Sequence, residues 1–401
     1  MSIAYVPAMT QPPFPSGASI AIAGGGIIGL SIAALLGERG CQVTVYDPAE
    51  PGRGASWAAA GMLAPAFEAA DHGDQHPDLL AACIASRRLW EDWARGLEDD
   101  TPGSLGFAGS GTLALATDEE GCARLEAMAG AIRAAGGTAH SMPRNELLAR
   151  EPGLGDPVIA GLALASDGRI DNRAVVKALL ARLEARPNVS IVRGPAPLRL
   201  VGGTVIAEGH DRAVIAAGWR SPGLIVRDGE RELPLKSVVP SLAAVDPVKG
   251  QMLAVAGNAD RPPHHTLRHG GLYIVPRRDR VIIGATSEPG AADTCIDPRA
   301  IADLKTAAGA LLPDLSARPT LETWAGIRPG SPDHAPLVGP SEHPAILLAC
   351  GHYRNGILLA PLTARLIAHS LQAGSVASDR LSDLAGLADA FSPRRFAAAP
   401  V

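Results

Sequence analysis

Gly24-Gly25-Gly26-Ile27-Ile28-Gly29 is the stretch whose residue types and spacing first suggest chemistry. It has the G-x-G-x-x-G spacing of a turn that cradles a dinucleotide pyrophosphate. Gly24 permits the tight turn, Gly26 lets phosphate oxygens approach the backbone, and Gly29 lets the following helix pack close on the strand. Asp47 stands where such units carry an acid, and its carboxylate would accept from ribose hydroxyls and repel a 2′-phosphate. The elements that must position these groups are legible on either side. Ser19 to Ala23 is a short apolar strand, and Ile28, Ile32, Leu35 and Leu36 recur at helical spacing. Gly40 is a C′ stop, and Val43 to Tyr46 forms the next strand. The pattern predicts a dinucleotide site and leaves FAD and NAD open. A glycine-rich βα turn in an ordinary α/β domain is the structural alternative.

After Asp47, Pro48, Pro51, Gly52 and Gly54 make a loop. Ser56 is a candidate N-cap for a short helix through Ala58-Ala59-Ala60-Gly61-Met62. Such small side chains let a flat ring approach the backbone; an Ala-rich packing helix is the alternative. The 401 residues suffice for two domains, and 47% hydrophobic content allows a large core. Aromatics are only 3%, so that core rests on Ala, Val, Leu and Ile. The charge is −5, from 36 basic and 41 acidic residues, with no basic block, which argues against nucleic acid as a partner. Five scattered cysteines form no CxxC pair, so neither a metal centre nor a redox dithiol is expected, and the sparse count fits a reducing cytosol. Among the histidines, His265 and His269 are four apart, but Pro262-Pro263 and Gly270-Gly271 argue for a loop; His72, His76 and His264 add no metal pattern. Ala18 to Gly37 is apolar enough to suggest a membrane or signal segment, yet no Lys or Arg precedes Arg39 and glycines interrupt it. Residues 1–17, rich in Pro, read as a disordered leader.

Further along, 79–97 reads as a helix with Leu80, Ile84 and Trp90 inward, and 111–116 as a strand. Thr117 and Glu120 suggest a capping box opening a helix that buries Leu125, Met128 and Ile132. Residues 171–186 form a clear helix with Val175, Leu179 and Leu183 on one face. Strands at 189–193 and 212–217 can return to the first sheet. Residues 234–255 and 272–286 are β-rich, with Pro240 and Pro247 implying edges or bends. Asp297-Pro298 starts a helix that Pro313 ends, Pro361 suits the first turn of another, and 375–401 reads as a loose, partly helical tail.

Three later segments sharpen this reading: Tyr273-Ile274-Val275-Pro276-Arg277, Trp324-Ala325-Gly326-Ile327-Arg328-Pro329-Gly330, and Gly351-His352-Tyr353-Arg354-Asn355-Gly356-Ile357-Leu358-Leu359-Ala360-Pro361. With the N-terminal turn and 58–63, they resemble FAD-dependent amine oxidases of the D-amino-acid oxidase family, in its glycine-oxidising branch. The resemblance runs from about residue 18 to 372. It implies an α/β fold: a discontinuous Rossmann-like FAD domain (18–105, 168–225, 322–401) and an inserted α+β substrate domain on an antiparallel sheet (106–167, 226–321). It also implies oxidation of glycine or a similar small amine to an imine, with dioxygen reduced to peroxide, the imine feeding the thiazole of thiamine. Carried over residue by residue, Ile27, Ile28 and Asp47 hold the ADP half of FAD with the glycine turn. Ala55, Ser56, Ala60, Gly61 and Met62 lie along the pyrophosphate and flavin. Val192 meets the adenine side through its backbone, and His352, Tyr353, Arg354, Asn355, Gly356, Ile357 and Leu358 wrap the ring.

In the same resemblance Arg328 anchors the substrate carboxylate, where a planar guanidinium forks onto it with two hydrogen bonds. Tyr273 donates its hydroxyl to that carboxylate and Arg354 adds positive field. The structural alternatives are a surface arginine, a tyrosine with a solvated tip, and an arginine tied to backbone carbonyls. The helix after Asn355-Gly356 would turn its amino end, and its dipole, toward reduced flavin. Gly271 and Ser287 stand where a His and a Met are expected, so the pocket is smaller-lined and glycine, sarcosine or a small D-amino acid fits. No cysteine lies between Cys295 and Cys350, where related sarcosine oxidases attach their flavin, so FAD is expected to be noncovalent. The resemblance further implies a cytosolic homo-oligomer with no membrane contact. A dehydrogenase passing electrons to a quinone or carrier shares most of these motifs, and a flavoprotein holding FAD for structural or sensory reasons is a third reading.

Overall fold

The first three elements follow the local rules. β1 (Ser19–Ala23) runs into a glycine turn, then α1 (Ile27–Glu38), then β2 (Gln42–Tyr46). Gly40, with φ of +83°, follows the Arg39 C-cap as the expected stop. β1 lies between two parallel partners, β2 and the strand Arg212–Ile215, with Ile20 facing both Val43 and Arg212. A strand buried on both faces has no polar side, which explains its unbroken apolar run. Ile20 and Ile22 face the core around α1, whereas Ala21 and Ala23 face a second core formed with Leu198, Val226 and Leu242. The complete sheet has six strands in the order Leu337–Pro340, Ile346–Cys350, Arg212–Ile215, β1, β2, Val189–Val192. This computed structural model describes residues 17–65, 76, 78–100, 103–258, 263–372 and 382–396. The expected leader, apart from Gly17, lies outside the described residues, as do His72, Pro262 and parts of the tail.

α1 is apolar on all sides because helices cover it: Asn172–Glu184 on one side and Gly356–Gln372 on another. The latter begins at Gly356, so Pro361 sits within it rather than in its first turn. Proline has no N–H for the Ile357 carbonyl and its ring crowds that turn. The neighbouring Leu358 carbonyl instead accepts from Ser86 Oγ (2.6 Å) and Trp90 Nε1 (2.9 Å) on the helix Asp78–Asp100. Sequence reasoning saw the proline but not these bonds from a distant helix to the same turn.

The second sheet has nine strands. Thr266–His269 pairs in parallel with Thr112–Ala116, and the other pairs are antiparallel. One face is covered by the helix Pro298–Leu311, whose N-cap Asp297 accepts from the Arg299 N–H at 2.9 Å. The other face carries Met252, Tyr273, Ile282 and Trp324. Pro240 opens a short 3-10 turn, as a bend should, while Pro247 sits near the start of Asp246–Ala256, an interior strand. The strand Thr320–Gly330 pairs along Asp246–Ala256, so the boundary expected at 322 cuts through a continuous strand of this sheet. The boundary expected at 225 likewise falls inside a four-stranded sheet that joins Leu198–Val201 to Ile225–Asp228. Two local expectations are corrected. Asp118, not Thr117, caps the helix Glu119–Ala134, accepting from the Gly121 N–H, because the helix starts one residue later than the box implied. Gly54, not Ser56, precedes the short helix Ala55–Ala58, and the Ser56 hydroxyl is used elsewhere.

Candidate active site

A cavity of about 550 Å³ runs from the C-terminal end of β2 to the face of the nine-stranded sheet. Its first wall is the glycine turn. Gly24 has φ of +118°, and a Cβ there would lie 2.5 Å from the Ala216 carbonyl carbon. Only glycine fits, and it leaves bare backbone toward the cavity. Gly29 does not line the cavity; it lies beneath, where a Cβ would strike the Gly24 carbonyl oxygen, so its part is close packing. Gly26, Ile27 and Ile28 line the cavity, and Gly26 caps α1 without a side chain. The positive end of that helix therefore faces the space, as anion binding requires. The Ser56 hydroxyl accepts from the Ile27 N–H at 2.9 Å and locks the turn to the next wall.

Asp47 lines the cavity, but both its oxygens are already engaged. Oδ2 accepts from the Gly25 N–H (2.8 Å) and Oδ1 from the Ala49 N–H (2.9 Å). Each carboxylate oxygen keeps a second lone pair, so the acid both braces the turn and can still accept from a ribose. Val192 is not part of the lining. Its carbonyl accepts from the Asp47 N–H at 3.1 Å, and Pro195 and Ala196 form the wall there because the chain turns after the strand ends. Glu50 lines the same end, a residue that sequence reasoning passed over as loop.

Midway, Ala55, Ser56, Ala58, Ala59, Ala60, Gly61 and Met62 form a wall of small side chains. Gly61 has φ of +66°, and a Cβ there would strike the Ile170 carbonyl. Arg277, the last residue of the YIVPR segment, donates from Nη2 to the Ala60 carbonyl at 2.5 Å and holds this wall in place. Burial lowers its pKa to about 10, which leaves it charged at neutral pH. Opposite lie His352, Tyr353, Arg354, Asn355, Gly356, Ile357 and Leu358. His352 is fully enclosed, with Nε2 2.9 Å from Thr363 Oγ1, and burial pushes its pKa down to about 3. It is a neutral structural imidazole. Its unfolded-state counterpart takes up a proton near pH 6.5, whereas the folded one resists until about pH 3. The unfolded chain therefore binds more protons in that window, and stability falls as pH drops through it. The expected result is a melting temperature that declines below about pH 6.5 more steeply in the wild type than in His352→Gln, measured by differential scanning fluorimetry; equal slopes remove His352 from the account.

The far end is built from the nine-stranded sheet. Tyr273 and Arg268 face one another across paired strands and both line the cavity. The Tyr273 ring leans over Gly284, where a Cβ would lie 2.5 Å from its hydroxyl oxygen. Arg328 also lines the cavity. Its Nη1 donates to the carbonyls of Thr286 (3.2 Å) and Lys249 (3.5 Å), and its guanidinium lies flat over Gly250. Thr286 is itself held, since its hydroxyl accepts from the Gln251 N–H at 2.9 Å and donates to Glu288 at 2.7 Å. Arg354 lies against the Tyr353 ring, 5.2 Å from Cζ to centroid. Thus Tyr273, Arg328 and Arg354 are brought to one cavity from three separate segments. Arg268 and Met252 join them unanticipated; the strand register that places them was not readable without pairing. Gly271 stands there too, with nothing within 4 Å of a Cβ, so the space a larger residue would fill is open.

The lining suits FAD. A bare glycine turn at a helix amino end takes a pyrophosphate, Asp47 a ribose, the small-residue wall a flat tricycle, and Ile357 and Leu358 its apolar face. Cys350 also lines the cavity, but burial pushes its thiol up to about 12, so it stays protonated and is a poor nucleophile. We expect acid or heat precipitation to release all the flavin into the supernatant; yellow colour retained in the pellet would refute noncovalent binding. His265 and His269 turn to other work, the first beside Glu151 (3.3 Å) and the second beside the Leu115 carbonyl (3.1 Å). No group of three or more metal-ligating side chains is assembled among the described residues. Nor is any described helix long and apolar enough to cross a membrane.

Such a fold and cavity define a FAD-dependent oxidoreductase. The family model described as FAD dependent oxidoreductase (DAO) matches residues 19–370, and the chain belongs to that family, with FAD as its cofactor. It is 32% identical to the glycine oxidase of Geobacillus kaustophilus over 375 residues, covering 90% of this chain and 94% of that protein. It is 35% identical over 358 residues to the bifunctional protein ThiO/ThiG of Nostoc sp., covering 87% of this chain; the chain spans 52% of that longer protein. The solved glycine oxidase from Geobacillus kaustophilus superposes with a TM-score of 0.81 at 29% identity, covering 94% of this chain and 98% of that one.

Proposed function

We propose that this FAD-dependent amine oxidase oxidises glycine or a similar small primary or secondary amine to its imine. For glycine, water then converts the imine to glyoxylate and ammonia, and dioxygen is reduced to hydrogen peroxide. The observation that carries the reading is Arg328, a guanidinium laid flat in the cavity over Gly250, with Tyr273 lining the same end. FAD, when bound, would supply the acceptor for the hydride equivalent from the substrate carbon and a route for those electrons to dioxygen.

The side chains bind and orient. Arg328 grips the substrate carboxylate with a fork, and Tyr273 adds a hydroxyl. Arg354 contributes positive field, and Gly271 leaves room for an N-methyl or small side chain. The acids on the lining, Asp47 and Glu50, belong to the dinucleotide end, and His352 is neutral and tied to Thr363. Substrate deprotonation is therefore left to solvent, and kcat/KM rises with pH until the amine is neutral. At the cofactor we assign Gly24, Gly26, Ile27, Ile28 and Asp47 to the ADP half, and Ala55, Ser56 and Ala60 to Met62 with His352 to Leu358 to the remainder.

The name of the bifunctional relative supports a place in thiamine synthesis, with the imine consumed in thiazole formation. A cytosolic homo-oligomer with a discontinuous FAD part and an inserted substrate part completes the proposal. Anaerobic glycine should bleach the yellow protein, and air should restore the colour with one peroxide per turnover. Bleaching followed by very slow recovery in air makes the protein a dehydrogenase with another acceptor. No bleaching by glycine, sarcosine or any small D-amino acid overturns the proposal.

A further inference from the structure

The C-terminal segment lies beyond the residues matched to the family, which end at 370. It is nevertheless built into the molecule. Phe391 is buried, and its carbonyl accepts from the Val338 N–H at 2.8 Å. Four residues on, Arg395 forks onto Asp333, with Nε 2.8 Å from Oδ2 and Nη2 3.1 Å from Oδ1, and Nη2 also reaches the Ala335 carbonyl at 2.9 Å. Both partners are largely enclosed, their side chains 19% and 18% exposed. Burial opposes ionisation of the Asp333 carboxyl, but the Arg395 fork outweighs it and holds the pKa below its ordinary value.

Asp333 sits in the turn that follows the strand bearing Arg328. Its Oδ1 accepts from the Ala335 N–H at 3.1 Å, which closes the turn around His334. His334 is held at φ of +56°, a conformation unfavourable for a residue with a side chain. Its ring stacks on Tyr353, centroids 4.9 Å apart and planes at 30°. Tyr353 is held the same way, at φ of +48°, and its N–H donates to the carbonyl of Pro329, the residue after Arg328, at 2.8 Å. Tyr353 and Arg354 line the cavity. Two strained residues stacked together need restraint from around them. The Ser331 hydroxyl braces the turn locally, donating to the Ala335 carbonyl at 2.7 Å, and the fork from the C-terminal segment ties the turn to the rest of the molecule.

We infer that Arg395 is a positioning residue of the active site: through Asp333 and the His334–Tyr353 stack, the C-terminal segment fixes the corner of the cavity formed by Tyr353 and Arg354. The turnover arm of the test rests on the proposed amine oxidation; the spectroscopic arm does not. In FAD-loaded Arg395→Ala, the glycolate Kd, read from flavin absorbance, and the KM for glycine should both rise about tenfold. The kcat should stay within about twofold, and the visible circular dichroism of the flavin should change. His334→Ala should give the same shifts, and the double variant should be no worse than either single one, because both break one path. If Arg395→Ala does not fold, Asp333→Asn carries the same expectation, since it keeps shape and loses the charge.

An unaltered glycolate Kd and flavin dichroism in a folded Arg395 or Asp333 variant overturns the inference. Fully additive losses in the double variant do so as well. Should the wild type bleach with no amine, the proposed reaction fails, while the flavin dichroism of the variants still decides this inference.

Discussion

Arg328→Lys is expected to lose about 2–3 kcal/mol of carboxylate binding, the scale of a charge-assisted hydrogen bond. That corresponds to a rise of roughly 30- to 150-fold in the glycolate Kd. Lysine keeps the charge but not the planar fork. In the native cavity Nη1 is committed to the Thr286 and Lys249 carbonyls while the same plane faces the substrate space. A single ammonium cannot reproduce that division, because it must choose between the carbonyls that steady it and the ligand. FAD content and melting temperature should change little. Unchanged glycolate or benzoate affinity would remove Arg328 from the site and leave the proposed substrate class without its anchor.

Gly250→Ala should cost nearly as much without replacing any charged group. The guanidinium of Arg328 occupies the space a side chain would take: the added Cβ would lie 2.5 Å from Cζ, closer than real Cβ atoms come. Gly250 pairs with Gly326 in the long antiparallel ladder between Asp246–Ala256 and Thr320–Gly330, so the backbone there has little freedom to yield. Arg328 must then leave its slot, and a displacement of about 1 Å at a substrate anchor lowers kcat/KM about 100-fold. The loss should appear in glycolate affinity and glycine KM, with flavin absorbance retained. Normal affinity in a folded Gly250→Ala variant would mean that the arginine binds from another rotamer and that the slot is incidental. Together the two variants separate the chemistry of the anchor from its placement.

Much of the dinucleotide end was legible in the chain because it is local. The spacing of Gly24, Gly26 and Gly29 encodes a turn whose consequences fall within the next dozen residues, and α1 announces itself by its apolar positions and its Gly40 stop. The roles of Tyr273, Arg328 and Arg354 entered differently, from a resemblance in three short segments. Nothing in the spacing of those segments says that they meet. Capping went astray by a residue at Thr117 because two adjacent polar side chains compete and the start of the helix decides between them. Val192 was carried to the cavity, but its carbonyl serves the Asp47 N–H and the wall there belongs to Pro195 and Ala196.

By itself, then, the sequence determined the strand–turn–helix that receives a dinucleotide and the small-residue wall beside it, since sterics and periodicity act over a few neighbours. Tertiary structure alone decided that Gly250 is a slot for Arg328, that Arg268 shares the face of Tyr273, and that Arg395 grips the turn beneath Tyr353. Each of these depends on strand register or on the docking of a distant segment, and no local preference of the chain specifies either.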